Sequence, residues 1–344
     1  MKRLDRAPER FDVLDLFARM ARDGNLPFDE DSSQDEFARR VAASIGQARR
    51  SPTLLHGRRT QELFGYVAAS LGSAKLIKSE DGGDIISDES ELRVPDFRLV
   101  LRDGKQLLVE VKNCHSRSPR TAVRLDQPYL SSLRSYGDLT GSPVFIAVYW
   151  SGWNLWTLTP LDEFPPGGLT LLSASLRNHM VTLGDEAIAT TPPLTLRIVA
   201  DPASPRTRRP SGEVELTIGN VEFFCGGRPI TDKTERRLAF LLMILGTWPE
   251  ADTDVAMDGE SLVHIDFVYA PEEVTSGQPF EIIGHQSGFV SRRFDFLTTR
   301  EKSITSLSPA DAPGSLGLGI PENYVSDALP LWRFRMKPSP IGAS

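Results

Sequence analysis

The run from Val94 to Lys112, VPDFRLVLRDGKQLLVEVK, constrains this chain more than any other stretch. Two short apolar segments flank Arg102-Asp103-Gly104, which is a turn signal, so the run predicts a β-hairpin. Two registers compete. A two-residue turn at Asp103-Gly104 would pair Phe97 with Glu110 and set an aromatic ring beside a charge. A three-residue loop, with Gly104 in the left-handed bulge position, shifts the pairing by one residue. Phe97 then faces Val109 and Leu99 faces Leu107 on one side, while Asp96 faces Glu110 on the other. Because strand side chains alternate, only the second register keeps the apolar set together, and it is the one predicted. It also places Lys112 one step beyond the two carboxylates on their face.

Side by side on a partly covered face, two carboxylates repel each other. A hard divalent cation, Mg²⁺ or Mn²⁺, would relieve that repulsion, with the main-chain carbonyl of Val111 as a further oxygen donor. Lys112 would orient or help deprotonate an attacking water while the metal stabilises a pentavalent phosphate. Were the same charges simply solvated, the run would be an ordinary surface hairpin.

In these residues the chain resembles the PD-(D/E)xK nuclease superfamily, whose restriction-endonuclease-like fold includes the Holliday-junction resolvases. The matching positions are Pro95-Asp96, Glu110 and Lys112, and the likeness covers roughly residues 50–160. It implies an α/β (α+β) fold, a mixed β-sheet flanked by helices, and a Mg²⁺-dependent endonuclease that leaves 5′-phosphate and 3′-hydroxyl ends on DNA. Many members carry a glutamate on the helix before the sheet; Glu62, in RRTQELFGYVAASLG, fits and would join Asp96 and Glu110 as a metal ligand. Some carry a glutamine on the helix after the lysine strand, and Gln127 is the candidate, with Pro128 placing it at the helix start. Restriction, phage defence and repair are the settings the resemblance suggests.

The apolar spacing predicts helices near residues 11–18, after Ser33, over 58–71 with Gly72 as the stop, and from Val123 to Leu139. Strands are expected at 75–78, 93–102, 105–112, 144–150 and 153–158. Residues 201–212, DPASPRTRRPSG, read as a linker between a nuclease domain (1–200) and a smaller α+β domain (213–344). In that second part a helix is expected over Thr231–Gly246, with Asp232 and Glu235 at capping-box spacing. Strands are expected at 262–269, 279–283, 289–297 and 330–336.

The net charge of −7 speaks against a nucleic-acid partner only if charge is spread evenly, and it is not. Six arginines and no acid lie between Phe37 and Gln61, whereas Pro249 to Ile283 has many acids and no Lys or Arg. Arg58, Arg59, Arg98, Arg117, Arg120 and Arg124 are the expected contacts to a nucleic-acid backbone, DNA first and RNA second. The acidic second domain suits a protein partner or homodimerisation better than DNA. Trp150, Trp153 and Trp156 would either stack on bases or pack in the core, and His56 and His115 are read as structural. Two cysteines without metal-ligand spacing, no long apolar span and a charged N-terminus predict a cytoplasmic protein without a membrane. Two rivals to the enzyme remain: an inactive nuclease-like scaffold, and a subunit that cuts only with a partner.

Overall fold

The computed structural model describes residues 1–4, 7–9, 11–24, 26–82, 84–88, 91–204, 207–208, 213–259, 261–301 and 303–338. In the first part of the chain three helices, α1 (Asp12–Gly24), α2 (Asp31–Arg50) and α3 (Pro52–Leu71), precede a sheet. Helix α3 begins where the Ser51 side chain accepts from the Leu54 N–H, has Pro52 in its first turn, and ends at Gly72, whose φ of 86° only glycine adopts without strain. Its buried face is Leu63, Phe64, Tyr66, Val67 and Ala68.

The sheet has five strands in the order β1 (Ala74–Ser79), β2 (Phe97–Leu101), β3 (Gln106–Cys114), β4 (Val144–Trp150), β5 (Leu155–Pro160). All neighbours are antiparallel except β3 and β4, which run parallel and are joined through helix α4 (Gln127–Thr140). Parallel strands need such a crossover. The sheet is mixed and flanked by helices, as expected.

The hairpin adopts the predicted register. Phe97 pairs with Val109 and Leu99 with Leu107. Gly104 sits at φ 88°, and its N–H donates to the Leu101 carbonyl at 3.0 Å. The apolar face covered by α3 includes Phe97, whose ring lies 5.5 Å from that of Phe64. On the other face Leu108, Ile146, Val148 and Trp150 pack with Leu130 and Leu133 of α4.

The domain division differs from the expected one. One compact unit comprises Met1–Leu183, Phe294–Ser315 and Pro338–Ser344, and the other Gly184–Arg293 and Leu316–Lys337. The described residues of the expected linker, 201–204 and 207–208, lie within the second unit and not between the two. The strand before them, Leu194–Ala200, is central in the second unit's sheet, between Ile218–Cys225 and Ser261–Tyr269. The Pro/Arg-rich stretch therefore connects two paired strands of one sheet, and its turn-forming composition suits that use equally well.

The strand expected at 289–297 is helical, within Gln286–Thr298. Phe294 and Phe296 are spaced for alternation, but Ser287, Val290, Ser291, Phe294 and Thr298 are buried along with Phe289, and these five recur at helical spacing. Phe296 is exposed. Asp185 fixes the helix start by accepting from the Ser287 N–H and hydroxyl at 2.9 and 2.6 Å. Asp232 caps the helix Lys233–Leu245 by accepting from the N–H groups of Thr234 and Glu235, which is the Asp232 half of the expected capping box.

Candidate active site

Asp96 stands immediately before β2, and its carboxylate bridges three elements. One oxygen, Oδ2, accepts the Val111 N–H of β3 at 2.7 Å, and Oδ1 accepts the Gln61 side-chain amide of α3 at 2.5 Å. Sequence order explains why this position is open. Continued two steps past the Phe97–Val109 pair, the ladder would set Pro95 opposite Val111, and proline has no N–H to give the Val111 carbonyl. The β2–β3 pairing ends there, and the Asp96 side chain takes up the Val111 N–H that the ladder leaves.

Glu110 lies on the α4 side of β3 and is only 5% exposed. Its Oε1 accepts from the Lys112 ammonium at 2.5 Å and from the Tyr129 hydroxyl. The ammonium also donates to the Tyr129 oxygen at 2.7 Å and lies 4.8 Å from the centre of its ring. On the Tyr129 ring the Arg93 guanidinium rests at 4.2 Å. Carboxylate, amine and phenol thus form one closed triangle.

The electrostatics follow from burial. Asp96, 7% exposed, is pushed up to about 7 by burial first and then by the charge of Glu110, against the opposing Val111 N–H and Lys112 charge. Burial by itself would push Lys112 down. The charge and hydrogen bond of Glu110, with the Tyr129 hydroxyl, outweigh it and hold the amine above its usual value. Tyr129 is raised by burial and by its bond to Glu110. The oxygen donors gathered here are the Asp96 and Glu110 carboxylates and the Val111 carbonyl, a set suited to a hard cation.

Several expected residues sit elsewhere. Glu62 does not face the carboxylates; it pairs with Arg3 at 3.1 Å and Arg58 at 3.4 Å. The preceding residue, Gln61, reaches Asp96 instead, because one residue turns a helix by about 100° and packing of Leu63, Phe64 and Val67 sets the rotation. Gln127 is exposed in the first turn of α4, capped by Asp126, and Tyr129 is the residue of that turn that enters the site.

The arginines divide. Arg98 shares the α4 face but is committed to Glu80, at 2.6 and 3.0 Å, which also accepts from Tyr136 at 2.8 Å. Arg59 is no surface contact: it donates to Asp295 and Thr298 at 2.7 Å and lies over the Phe294 ring at 5.2 Å. Arg58 donates to the Gln61 side-chain carbonyl at 3.2 Å, which orients that amide toward Asp96. Arg117, Arg120 and Arg124 are exposed in the segment after β3, which a bridge between Val123 and Leu169 ties down.

His56 and His115 meet edge to face with ring centres 5.4 Å apart. His115 lies 3.2 Å from the Asn113 amide and 3.1 Å from the Ser151 hydroxyl, and burial lowers its pKa, with His56 adding to the effect. Trp150 and Trp156 are buried, the first donating to Thr157 at 2.9 Å, whereas Trp153 is 48% exposed. The sequence held no signal that singled out Gln61 or Tyr129 beyond their places in helices near the hairpin.

No family model and no curated protein matches this chain. Among solved structures it is similar to a Holliday junction resolvase from the archaeal hyperthermophile Archaeoglobus fulgidus, at 13% identity over 31% of this chain and 84% of that one, with a TM-score of 0.25. Among the described residues no helix is long and apolar enough to cross a membrane.

Proposed function

We propose that this protein is a Mg²⁺- or Mn²⁺-dependent nuclease of the PD-(D/E)xK kind that hydrolyses DNA phosphodiester bonds. The observation that carries the reading is the buried Asp96–Glu110 pair with Lys112 and Tyr129 closed on it. A carboxylate held protonated to about pH 7 beside a second one is a site short of positive charge, and a hard divalent cation is the ligand that supplies it. Among the described residues no group of three or more His, Cys, Asp or Glu side chains is placed to hold a metal. Asp96, Glu110 and the Val111 carbonyl would therefore share the ion with water and phosphate oxygens, a coordination usual for Mg²⁺. The ion's chemistry would be to activate water and neutralise charge on the phosphate.

The protein's own groups have separate tasks in this reading. Lys112, kept charged by its surroundings, acts as a donor toward a water or a phosphate oxygen rather than as a base. Tyr129 holds that ammonium in line with Glu110. Gln61, oriented by Arg58, fixes the Asp96 carboxylate from the α3 side. Among the described residues Arg117, Arg120 and Arg124 have no internal pairing of the kind that commits Arg59 and Arg98, and they suit backbone phosphates.

A divalent-metal panel over single-stranded, duplex, branched and RNA substrates tests the proposal. The expected result is cleavage of at least one form in Mg²⁺ or Mn²⁺ that EDTA abolishes and Glu110→Ala loses. If no form is cut by wild type that Glu110→Ala leaves intact, even with genomic neighbours added, the protein is a nuclease-like scaffold.

A smaller effect is expected at the phenol. Tyr129→Phe keeps the ring under Arg93 but removes the oxygen that Lys112 and Glu110 share. We expect kcat to fall about tenfold with KM unchanged, the equivalent of about one hydrogen bond to a charged group. Equal kcat for Tyr129→Phe and wild type would remove Tyr129 from the site.

A further inference from the structure

We infer that Trp153 is a stacking platform for an unpaired base of a single strand leading to the Asp96–Glu110–Lys112 site, which makes nucleic acid with unpaired bases the substrate class. The inference rests on the nuclease reading for the identity of that site, but its own evidence is separate.

Of the three tryptophans clustered on β4, β5 and the turn between them, Trp150 and Trp156 are buried and Trp153 alone of the three stands 48% exposed. Single exposed apolar residues are ordinary on protein surfaces. What distinguishes this one is how firmly its turn is held. The Ser151 N–H donates to the Cys114 carbonyl at 3.0 Å, and the Trp153 N–H to the Trp150 carbonyl at 2.9 Å. The Ser151 hydroxyl meets the His115 ring at 3.1 Å. Gly152 is packed against the next segment: a Cβ there would lie 3.1 Å from the Ser116 carbonyl oxygen and 3.0 Å from the Arg117 side chain. Asn154 closes the turn in the left-handed region at φ 49°, and its side-chain oxygen accepts from the Tyr149 hydroxyl at 3.0 Å. A rigid aromatic gives contact area at little entropic cost on binding.

The place of the turn decides what it would meet. β3 and β4 run parallel and end together at Cys114 and Trp150, so the turn lies beside the residues that follow Lys112. Lys112 is two residues, about 7 Å of strand, before Cys114. The segment leaving that end carries Arg117, Arg120 and Arg124, all exposed. Cations that track a backbone beside an aromatic face are the two parts of a single-strand site. Bases in a duplex are stacked on each other and offer no face to an indole, so the platform selects a strand that is unpaired there.

The test measures binding in EDTA, where no cleavage occurs, with a thymidine homo-oligomer and an abasic oligomer of the same length. Wild type is expected to bind the base-bearing strand more tightly. Trp153→Ala should lose about 5- to 150-fold in affinity for it, the range for one stacked base, and bind the abasic strand as wild type does. Trp153→Phe should retain part of the affinity, while the quenching of tryptophan emission on adding the thymidine strand disappears. The proposal is overturned if Trp153→Ala binds both strands as wild type does or loses affinity for both alike. It is also overturned if wild type does not distinguish the two strands. Failure of the nuclease reading would show instead as absence of metal-dependent cleavage with the Trp153 binding effect intact.

Discussion

Lys112→Ala is expected to lower metal-dependent cleavage by about 10²- to 10³-fold while leaving substrate binding within a fewfold of wild type. That is the usual loss when one charged donor aimed at developing charge is removed from a water-poor site. Lys112→Arg should not restore the rate. The ammonium occupies a gap bounded by Glu110 at 2.5 Å and Tyr129 at 2.7 Å, and a planar guanidinium does not reproduce that point-like geometry. Removing Lys112 also leaves Glu110 buried with the Tyr129 hydroxyl as its remaining donor, so the variant loses stability as well. Rates are therefore compared at a temperature where thermal unfolding shows both proteins folded. Single-turnover cleavage at the wild-type rate would show that the amine has no part in the chemistry.

Asp96→Asn should raise the stability of the metal-free protein, and by an amount that depends on pH. In the folded state burial and Glu110 hold the Asp96 proton to about pH 7, whereas in the unfolded chain it leaves near the ordinary aspartate value. Between those two values the folded state binds more protons, so its stability falls as pH rises through the window. The loss is complete above pH 7 and is on the order of 4 kcal/mol for this group by itself, since each tenfold change in proton affinity is worth about 1.4 kcal/mol. Asparagine does not ionise and still offers an oxygen to the Val111 N–H, and its NH2 is satisfied once the Gln61 amide turns over to accept from it. Denaturant midpoints measured in EDTA should favour Asp96→Asn at pH 8 and converge with wild type below pH 4. Added Mg²⁺ should narrow the gap at pH 8 by stabilising wild type alone. An Asp96→Asn protein less stable than wild type at pH 8 without metal would mean that Asp96 is charged and fully compensated by its neighbours.

Much of the fold was legible because strands obey a binary rule. In the Val94–Lys112 run, residues either share a face or oppose it, and the loop at Asp103-Gly104 decides which. The same run shows why the carboxylates share a face: one step past the Phe97–Val109 pair the register sets Asp96 opposite Glu110, and Pro95, a step further, stops the pairing. Helix ends were legible too where a cap or breaker marks them, as at Gly72 and Asp232. Where apolar residues fit more than one period, the sequence misled. Phe294 and Phe296 fit a strand's period, but burial of Val290, Phe294 and Thr298 is the stronger signal once the surroundings are known. The Pro/Arg stretch at 201–212 misled for a different reason. Turn chemistry is the same in a hairpin connection and in a linker, and only the partners of Leu194–Ala200 tell them apart.

By itself, then, the sequence determined the hairpin, its register, and the order Asp96, Glu110, Lys112 along one face, because alternation and turn residues leave a single apolar-consistent pairing. Tertiary structure decided which helical side chains complete the site. Gln61 and not Glu62 reaches Asp96, Tyr129 and not Gln127 reaches Glu110, and Arg59 and Arg98 turn inward to acids that lie far from them in sequence or across a strand. The reason is geometric. A helix can take any rotation about its axis, a change of about 100° separates adjacent residues, and only packing against the sheet selects one.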